Sequence, residues 1–458
     1  MRRAFQRSLV NAASLRPHKH KPTADIINSL LVFHLCSVQS IVDATPTLLN
    51  IAKKAHLTTP AYCAIKATFF KHFCGGENLK EVLPTMNSLA QNQIGSILDL
   101  AIEADLESGQ LSTLEDIQRH ARNMADMMIQ SVDIAKAQEK SFIAVKVTAF
   151  VPPSILYRWN VVLQTVKKAF TEAGQGRLNQ TQFIAAMQKL NISSDQATKL
   201  FSAMSKSNSV DYISLSDALS GMNPAFRHLL VSESGLSAQD FTAIDAVYSE
   251  MKRLCEYAQQ NNVRVMMDAE QTYFQAAIDA IVLKLCQDLN SLTSPLGPVV
   301  FNTYQLYLRD AYDRLVQDAE RAERNNYSLG VKIVRGAYMS SERKRAEKKG
   351  YPDPINPNIQ ETHKAYNQAI TFLVQRLAAY REKKENRLSF VVASHNKHSV
   401  QFAMEEMKKF NVPASDGTVG FAQLLGMQDG TTHFLAQNGF KAYKVFPSLP
   451  WFIVISPY

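Results

Sequence analysis

A (β/α)8 barrel with an N-terminal helical arm and a helical insertion is the fold that this 458-residue sequence predicts. Three observations predict it. Eight short β-branched or apolar runs recur along the chain, helical stretches lie between most of them, and seven of the eight runs finish in a polar side chain. Alternating strands and helices argue for a parallel sheet, and eight such units argue for closure. Polar groups at C-terminal strand ends are where a barrel builds an active site, while the strand middles fill its core.

The elements follow in chain order. Arg2, Arg3, Arg7, Arg16, Lys19 and Lys21 precede the first acid, Asp25, and Phe5, Leu9 and Val10 share one helix face. An acid-poor, Arg-bearing start of this kind predicts a mitochondrial transit peptide over residues 1–24, the plain alternative being a disordered basic tail. Residues 25–91 predict a helical arm, with apolar spacing in Ile26–Val42 and Leu48–Ile51. No apolar run reaches the roughly 20 residues that span a bilayer, so a soluble or peripheral protein is expected. The barrel is expected over 92–447. Its strands are Ile94–Leu100 with Asp99, Phe142–Ala149 with Lys146, Val263–Ala269 with Asp268 and then Glu270, and Val299–Gln305. Gly330–Ala337 with Lys332 and Arg335, Leu388–His395 with Asn396 next, Thr418–Leu424 with Gln423, and Ala442–Phe446 complete the eight. Helices are expected at Asp310–Asn325, Ile359–Lys383 and Ser399–Phe410.

One crossover, Phe150 to Val263, is much longer than the rest, and an insertion over 160–235 accounts for it. Thr171–Gln182 and Lys206–Asp217 each resemble an EF-hand loop by register, through Gly176 with Leu178 and Asp211 with Ile213. A calcium loop needs carboxylates at its early positions and a bidentate Glu at the twelfth. Thr171, Ala173, Gln175 and Gln182 stand there in the first loop, and Lys206, Asn208, Val210 and Asp217 in the second. Oxygen ligands are too few, so an EF-hand-like insertion without calcium, and no metal site, is expected.

Composition narrows the function. The +9 formal charge comes from basic residues interleaved with acids, as in 341–349 and 381–387, so solvated helix faces are expected and no nucleic-acid partner. Five cysteines without a C-x-x-C pair exclude a disulfide scaffold or zinc ribbon. No G-x-G-x-x-G follows a strand, which argues against a Rossmann dinucleotide site. Lysine and arginine at strand ends suit anionic groups, while Gln, Asn and His fix orientation. Lys146, between Val145 and Val147, is costly to bury unpaired, so a functional or ion-paired lysine is expected. His395 has two readings, a ligand contact or a hydrogen bond to a loop backbone.

Val331-Lys-Ile-Val-Arg-Gly-Ala-Tyr338 resembles the proline dehydrogenase family, most closely its animal mitochondrial form. Ile97-Leu-Asp99, Ala144-Val-Lys146, Met267-Asp-Ala-Glu-Gln-Thr-Tyr273, Asn302-Thr-Tyr-Gln305, Ala393-Ser-His-Asn396 and Phe421-Ala-Gln-Leu-Leu-Gly-Met427 agree with it in order. The resemblance implies an FAD enzyme that oxidises L-proline to 1-pyrroline-5-carboxylate, the first step of proline catabolism. It implies electron transfer to ubiquinone and peripheral association with the matrix side of the inner mitochondrial membrane, and is compatible with oligomers. By the same resemblance Lys332 lies beside the flavin's pyrimidine edge and Gln305 bonds its ring. Arg335, Gly336, Thr362, His395, Asn396 and Gln423 contact the cofactor. Lys146 faces the proline carboxylate, Asp268 orients the cations, and Glu103 gates the site. The match stops at Pro447. The family's last helix carries a Tyr-Leu-x-Arg-Arg motif that clamps the carboxylate, whereas the atypical 448–458 tail has no Arg and contains Pro450 and Pro457. Val445 stands where the family has a pocket tyrosine. The alternative function is therefore a catalytically impaired flavin-binding barrel, either a non-catalytic isoform or a truncated product.

Overall fold

The structure, a computed structural model, describes residues 22–76, 79–100, 113–139, 141–174, 176–231 and 236–448. Residues 1–21 of the expected transit peptide, the expected gate Glu103, and the tail from 449 lie outside the described residues. In chain order the strands are β1 (Ile94–Leu100), β2 (Phe142–Val145), β3 (Arg177–Leu178), β4 (Val210–Asp211), β5 (Arg264–Met267), β6 (Val300–Gln305), β7 (Leu329–Val334), β8 (Leu388–Ala393), β9 (Val419–Leu424) and β10 (Lys441–Ser448). Eight close into a barrel in the order β1-β10-β9-β8-β7-β6-β5-β2, with β2 parallel to β1 again.

All eight expected strands are present. Every residue of β2, β5 and β6 is buried. Strands covered on both faces read as continuous apolar runs, which is why they stood out. Gly330 lets β7 approach β6: a Cβ there would meet the Val300 carbonyl oxygen at 2.5 Å and the Phe301 ring at 2.8 Å. Strand ends differ from expectation. Lys146, Asp268, Arg335 and His395 follow their strands rather than closing them, and Val147–Ala149 turns into a 3-10 helix.

Helices Ala311–Arg324, Ile359–Glu382 and Lys397–Lys409 occupy the expected stretches. Asn358 and Asn396 cap the last two, accepting hydrogen bonds from the Glu361 and Ser399 backbones. The chain packs as two compact units, with boundaries at the end of β2 and inside β8. One carries the arm, β1, β9 and β10. The other carries the insertion and β5, β6 and β7.

The insertion is helix–loop–helix twice, through Pro153–Ala173, Gln180–Gln188, Ser194–Met204 and Tyr212–Ala218. Its first helix runs unbroken through residue 160, so the expected boundary falls inside it. Antiparallel β3 and β4 join the loops and pair Leu178 with Val210. That corrects the second loop's register by three residues, because Ile213 was expected as the counterpart of Leu178. Asn208, at φ +56, makes the turn that Gly176 makes at φ +83. Asp211 then caps the following helix as Asn179 caps its own. Arg177 occupies the second loop, donating to Ser209 Oγ at 2.7 Å and the Lys206 carbonyl at 3.1 Å. Arg321 anchors the insertion to the Ala311–Arg324 helix through Asp217 and Ser216, at 2.6 and 2.7 Å.

The arm begins with helix Thr23–Ser37, which bends by 93° into Gln39–Lys54. Among the described residues no single helix is long and apolar enough to cross a membrane.

Candidate active site

In the unit holding β5 to β7, the charged strand ends form a connected cluster. Lys332 sits on β7 between Val331 and Ile333, which are fully buried. Its Nζ forms an ion pair with Asp268, the residue after β5. The side chains are 13% and 18% exposed. The Asp268 N–H donates to the Val145 carbonyl at 2.9 Å, so the pair is tied to the end of β2. Two charges this dry hold together only in a fixed geometry, which makes Lys332 a positioned cation rather than a solvated one.

Glu270, 4% exposed, links four strands. Its carboxylate accepts from Thr148 N–H at 3.1 Å and Thr148 Oγ at 2.6 Å. Its N–H donates to Gln275 Oε1 at 2.8 Å, and its carbonyl accepts from Gln305 Nε2 at 2.7 Å. Gln305 Oε1 in turn accepts from Ala337 N–H at 3.4 Å. Burial raises the Glu270 carboxyl above the usual carboxylate range, opposed by the Thr148 bonds and the Lys146 charge. The ends of β2, β5, β6 and β7 are thereby joined into one floor.

Arg335 lies over the Tyr366 ring at 4.4 Å and donates to His363 Nδ1 at 3.1 Å. Burial lowers its guanidinium pKa, and it remains a cation. Thr362, in the first turn of the Ile359–Glu382 helix, accepts from Asn356 Nδ2 at 3.5 Å. Gly336 has φ +148, and a Cβ there would lie 2.2 Å from the Tyr307 ring. Only glycine fits the turn that aims Arg335. Fully buried Glu342 accepts from Thr272 N–H at 2.5 Å and Thr272 Oγ1 at 2.7 Å, fastening the segment after β7 to the helix after β5.

The other unit holds the ends of β9 and β10. His395 Nε2 accepts from Leu424 N–H at 3.0 Å, so the ring proton sits on Nδ1. Burial, and then the Lys444 charge, lowers its pKa and keeps it neutral. Asn396 caps its helix. Gln423 is buried and spends its amide on the protein, donating to Ser394 O at 3.2 Å and accepting from Thr432 at 2.8 Å. Lys444, 2% exposed, pairs with Asp429 at 2.8 Å.

The family model described as proline dehydrogenase matches residues 82–451. The chain belongs to the proline dehydrogenase family. It is 28% identical to "Proline dehydrogenase 1, mitochondrial" of Drosophila melanogaster over 94% of its own length and 74% of that protein's. The Homo sapiens protein of the same name is 28% identical over 94% and 82%. Among solved structures, proline utilization A from Bdellovibrio bacteriovorus superposes with a TM-score of 0.57 at 16% identity. That match covers 86% of this chain and 32% of the bacterial one, so the chain spans about a third of that protein and the likeness speaks to the fold alone.

Within this proline dehydrogenase barrel the structure gathers Lys332, Asp268, Gln305, Arg335, Gly336 and Thr362 around consecutive strand ends, with Lys146 at the end of β2. Asn396 and Gln423 shape the loops of their own unit. Sequence reading gave no role to Glu270 beyond a polar strand end, and missed Thr148, His363, Tyr366, Glu342 and Lys444. Signals were present for some. Thr148 stands two residues after Lys146, and Lys444 interrupts an apolar strand just as Lys332 does. Tyr366 lies four residues beyond Thr362 on the same helix face.

Proposed function

We propose that this chain is an FAD-dependent proline dehydrogenase of the mitochondrion, oxidising L-proline to 1-pyrroline-5-carboxylate as the first step of proline breakdown. The observation that carries the reading is the fixed Asp268–Lys332 pair, set among Lys146, Gln305 and Arg335, in a chain of that family. The donor set fits the cofactor: two cations and an amide at adjacent strand ends suit an anionic, hydrogen-bonding group. Lys332, Gln305, Arg335, Gly336 and Thr362 would hold it.

When bound, FAD supplies the hydride acceptor for the proline ring carbon next to nitrogen. The residues of this chain bind, orient and polarise. Lys332 would supply a positive charge beside the bound cofactor, and Asp268 keeps that ammonium in place. Lys146 binds the substrate carboxylate. Glu270, through Thr148 and Gln305, holds the floor rigid and dry. Ubiquinone on the matrix side of the inner membrane is the final acceptor in this reading.

Steady-state turnover of L-proline with a soluble quinone tests it. Lys146→Met is expected to raise KM far more than it lowers kcat, since it removes a carboxylate contact worth roughly 1.5–3 kcal/mol. Equal KM values for Lys146→Met and the parent chain would contradict the assignment.

A further inference from the structure

Helix Gln39–Lys54 is two-sided and packs only lightly against the helices before and after it. None of its residues is buried. At 3.6 residues per turn, Ile41, Val42, Ala44, Leu48, Leu49, Ile51 and Ala52 fall on one side. Gln39, Ser40, Asp43, Asn50, Lys53 and Lys54 fall on the other. Ile41, Val42, Leu48, Leu49 and Ile51 are 38%, 44%, 55%, 36% and 56% exposed. The preceding helix adds Ile27, Leu30, Leu31 and Phe33, and the following loop adds Leu57. Ten of the eighteen exposed large apolar side chains among the described residues therefore lie within residues 27–57, a concentration that scattered surface residues do not produce.

Two further observations say what covers this face. Over residues 25–91 the arm carries Lys53, Lys54, Lys66, Lys71 and Lys80 against Asp25, Asp43, Glu77 and Glu81, and the adjacent Lys53 and Lys54 stand in the last turn of the amphipathic helix. Lys71 and Asp25 pair with each other at 2.7 Å. The two helices are apolar enough together to pass for a membrane span, yet they meet at 93° and the second has a polar side interrupted by Pro46. An amphipathic helix of this kind lies in a bilayer surface with its lysines reaching to the headgroups.

We propose that helix Gln39–Lys54, assisted by Ile27, Leu31 and Leu57, is an in-plane docking surface for an anionic phospholipid bilayer. The inference rests on the reading that the electron acceptor is a membrane quinone, and gives that reading its point of attachment. It places the affinity for lipid in the arm rather than in the barrel.

The test is co-flotation of the full flavin-loaded chain with vesicles of phosphatidylcholine containing about 30% phosphatidylglycerol, and with phosphatidylcholine alone. The chain is expected to float with the anionic vesicles, and less with neutral ones or in high salt. Ile41→Glu with Leu48→Glu should weaken partitioning by roughly 100-fold. Lys53→Gln with Lys54→Gln should weaken it by roughly 30-fold, on anionic vesicles only. Circular dichroism and flavin content check that the variants fold, which exposed positions predict. Unchanged flotation of the Glu variant would overturn the proposal. So would a parent chain that ignores vesicles but forms dimers broken by the same substitutions, which would make the face a contact for a second copy. Proline turnover without vesicles is read in parallel. Failed docking with intact turnover strikes this proposal alone, and intact docking without turnover strikes the catalytic reading.

Discussion

Replacing Asp268 by Asn keeps its shape and removes its charge, so it isolates what the carboxylate does for Lys332. The Lys332 ammonium is largely withdrawn from water and ion-paired to Asp268. A hydrogen bond to a charged group contributes about 1.5–3 kcal/mol, and breaking a fully buried pair costs about 3–5 kcal/mol. Residual exposure of both side chains places this pair near the low end, at about 2 kcal/mol. If that energy holds the ammonium for catalysis, Asp268→Asn should lower kcat/KM for proline by roughly 30-fold. Lys332→Gln should cost more, since it removes the cation itself. The double variant should then be no worse than Lys332→Gln alone, giving a coupling energy of about 2 kcal/mol in the double-mutant cycle. Urea denaturation run alongside separates loss of fold from loss of function. Parent-like kcat/KM in Asp268→Asn, or strictly multiplicative effects in the double variant, would refute the argument that Asp268 acts through Lys332.

Other positions yield sharper structural outcomes. Gly336→Ala combines a φ that L-residues avoid with a collision against Tyr307, and should cost more than about 2 kcal/mol by denaturant midpoint. Adding Tyr307→Ala should recover only the collision part. Glu270→Gln turns one acceptor towards Thr148 into a donor, and should cost roughly 1–3 kcal/mol of stability while lowering flavin occupancy. For His395 the folded pKa lies below the usual 6.5, so its contribution to stability is full above 6.5 and is lost as pH falls through the lower folded value. His395→Gln should therefore flatten the decline in Tm between about pH 7.5 and about pH 5.5.

Much of the barrel was legible because buried parallel strands must be apolar throughout, and Phe142–Val145 or Val300–Gln305 have few other interpretations. The positions of the charged residues were legible for the same reason: Lys146 and Lys332 interrupt such runs. Their partners were not. Thr148 and Glu270 are 122 residues apart in sequence and meet only when β2 and β5 come together in the closed sheet. Arg335 rests on Tyr366 and His363, which lie on a helix whose apolar pattern gives them no distinction. His395 carried two readings, and its Nε2 bond to Leu424 is the backbone contact of the second. The second insertion loop was misplaced because Asn208 adopts the left-handed turn without a glycine to announce it. Gln305 and Gln423 looked alike as strand-end amides. One connects the ends of β5 and β7, and the other is enclosed between Ser394 and Thr432.

Anaerobic titration of the purified chain with L-proline, following the visible absorption of bound flavin, tests the central claim most directly. The account predicts a flavoprotein whose band bleaches fully with proline, and a much weaker response in Lys146→Met. Bound flavin that dithionite bleaches and proline does not would contradict it, leaving a cofactor-binding barrel that does not oxidise proline.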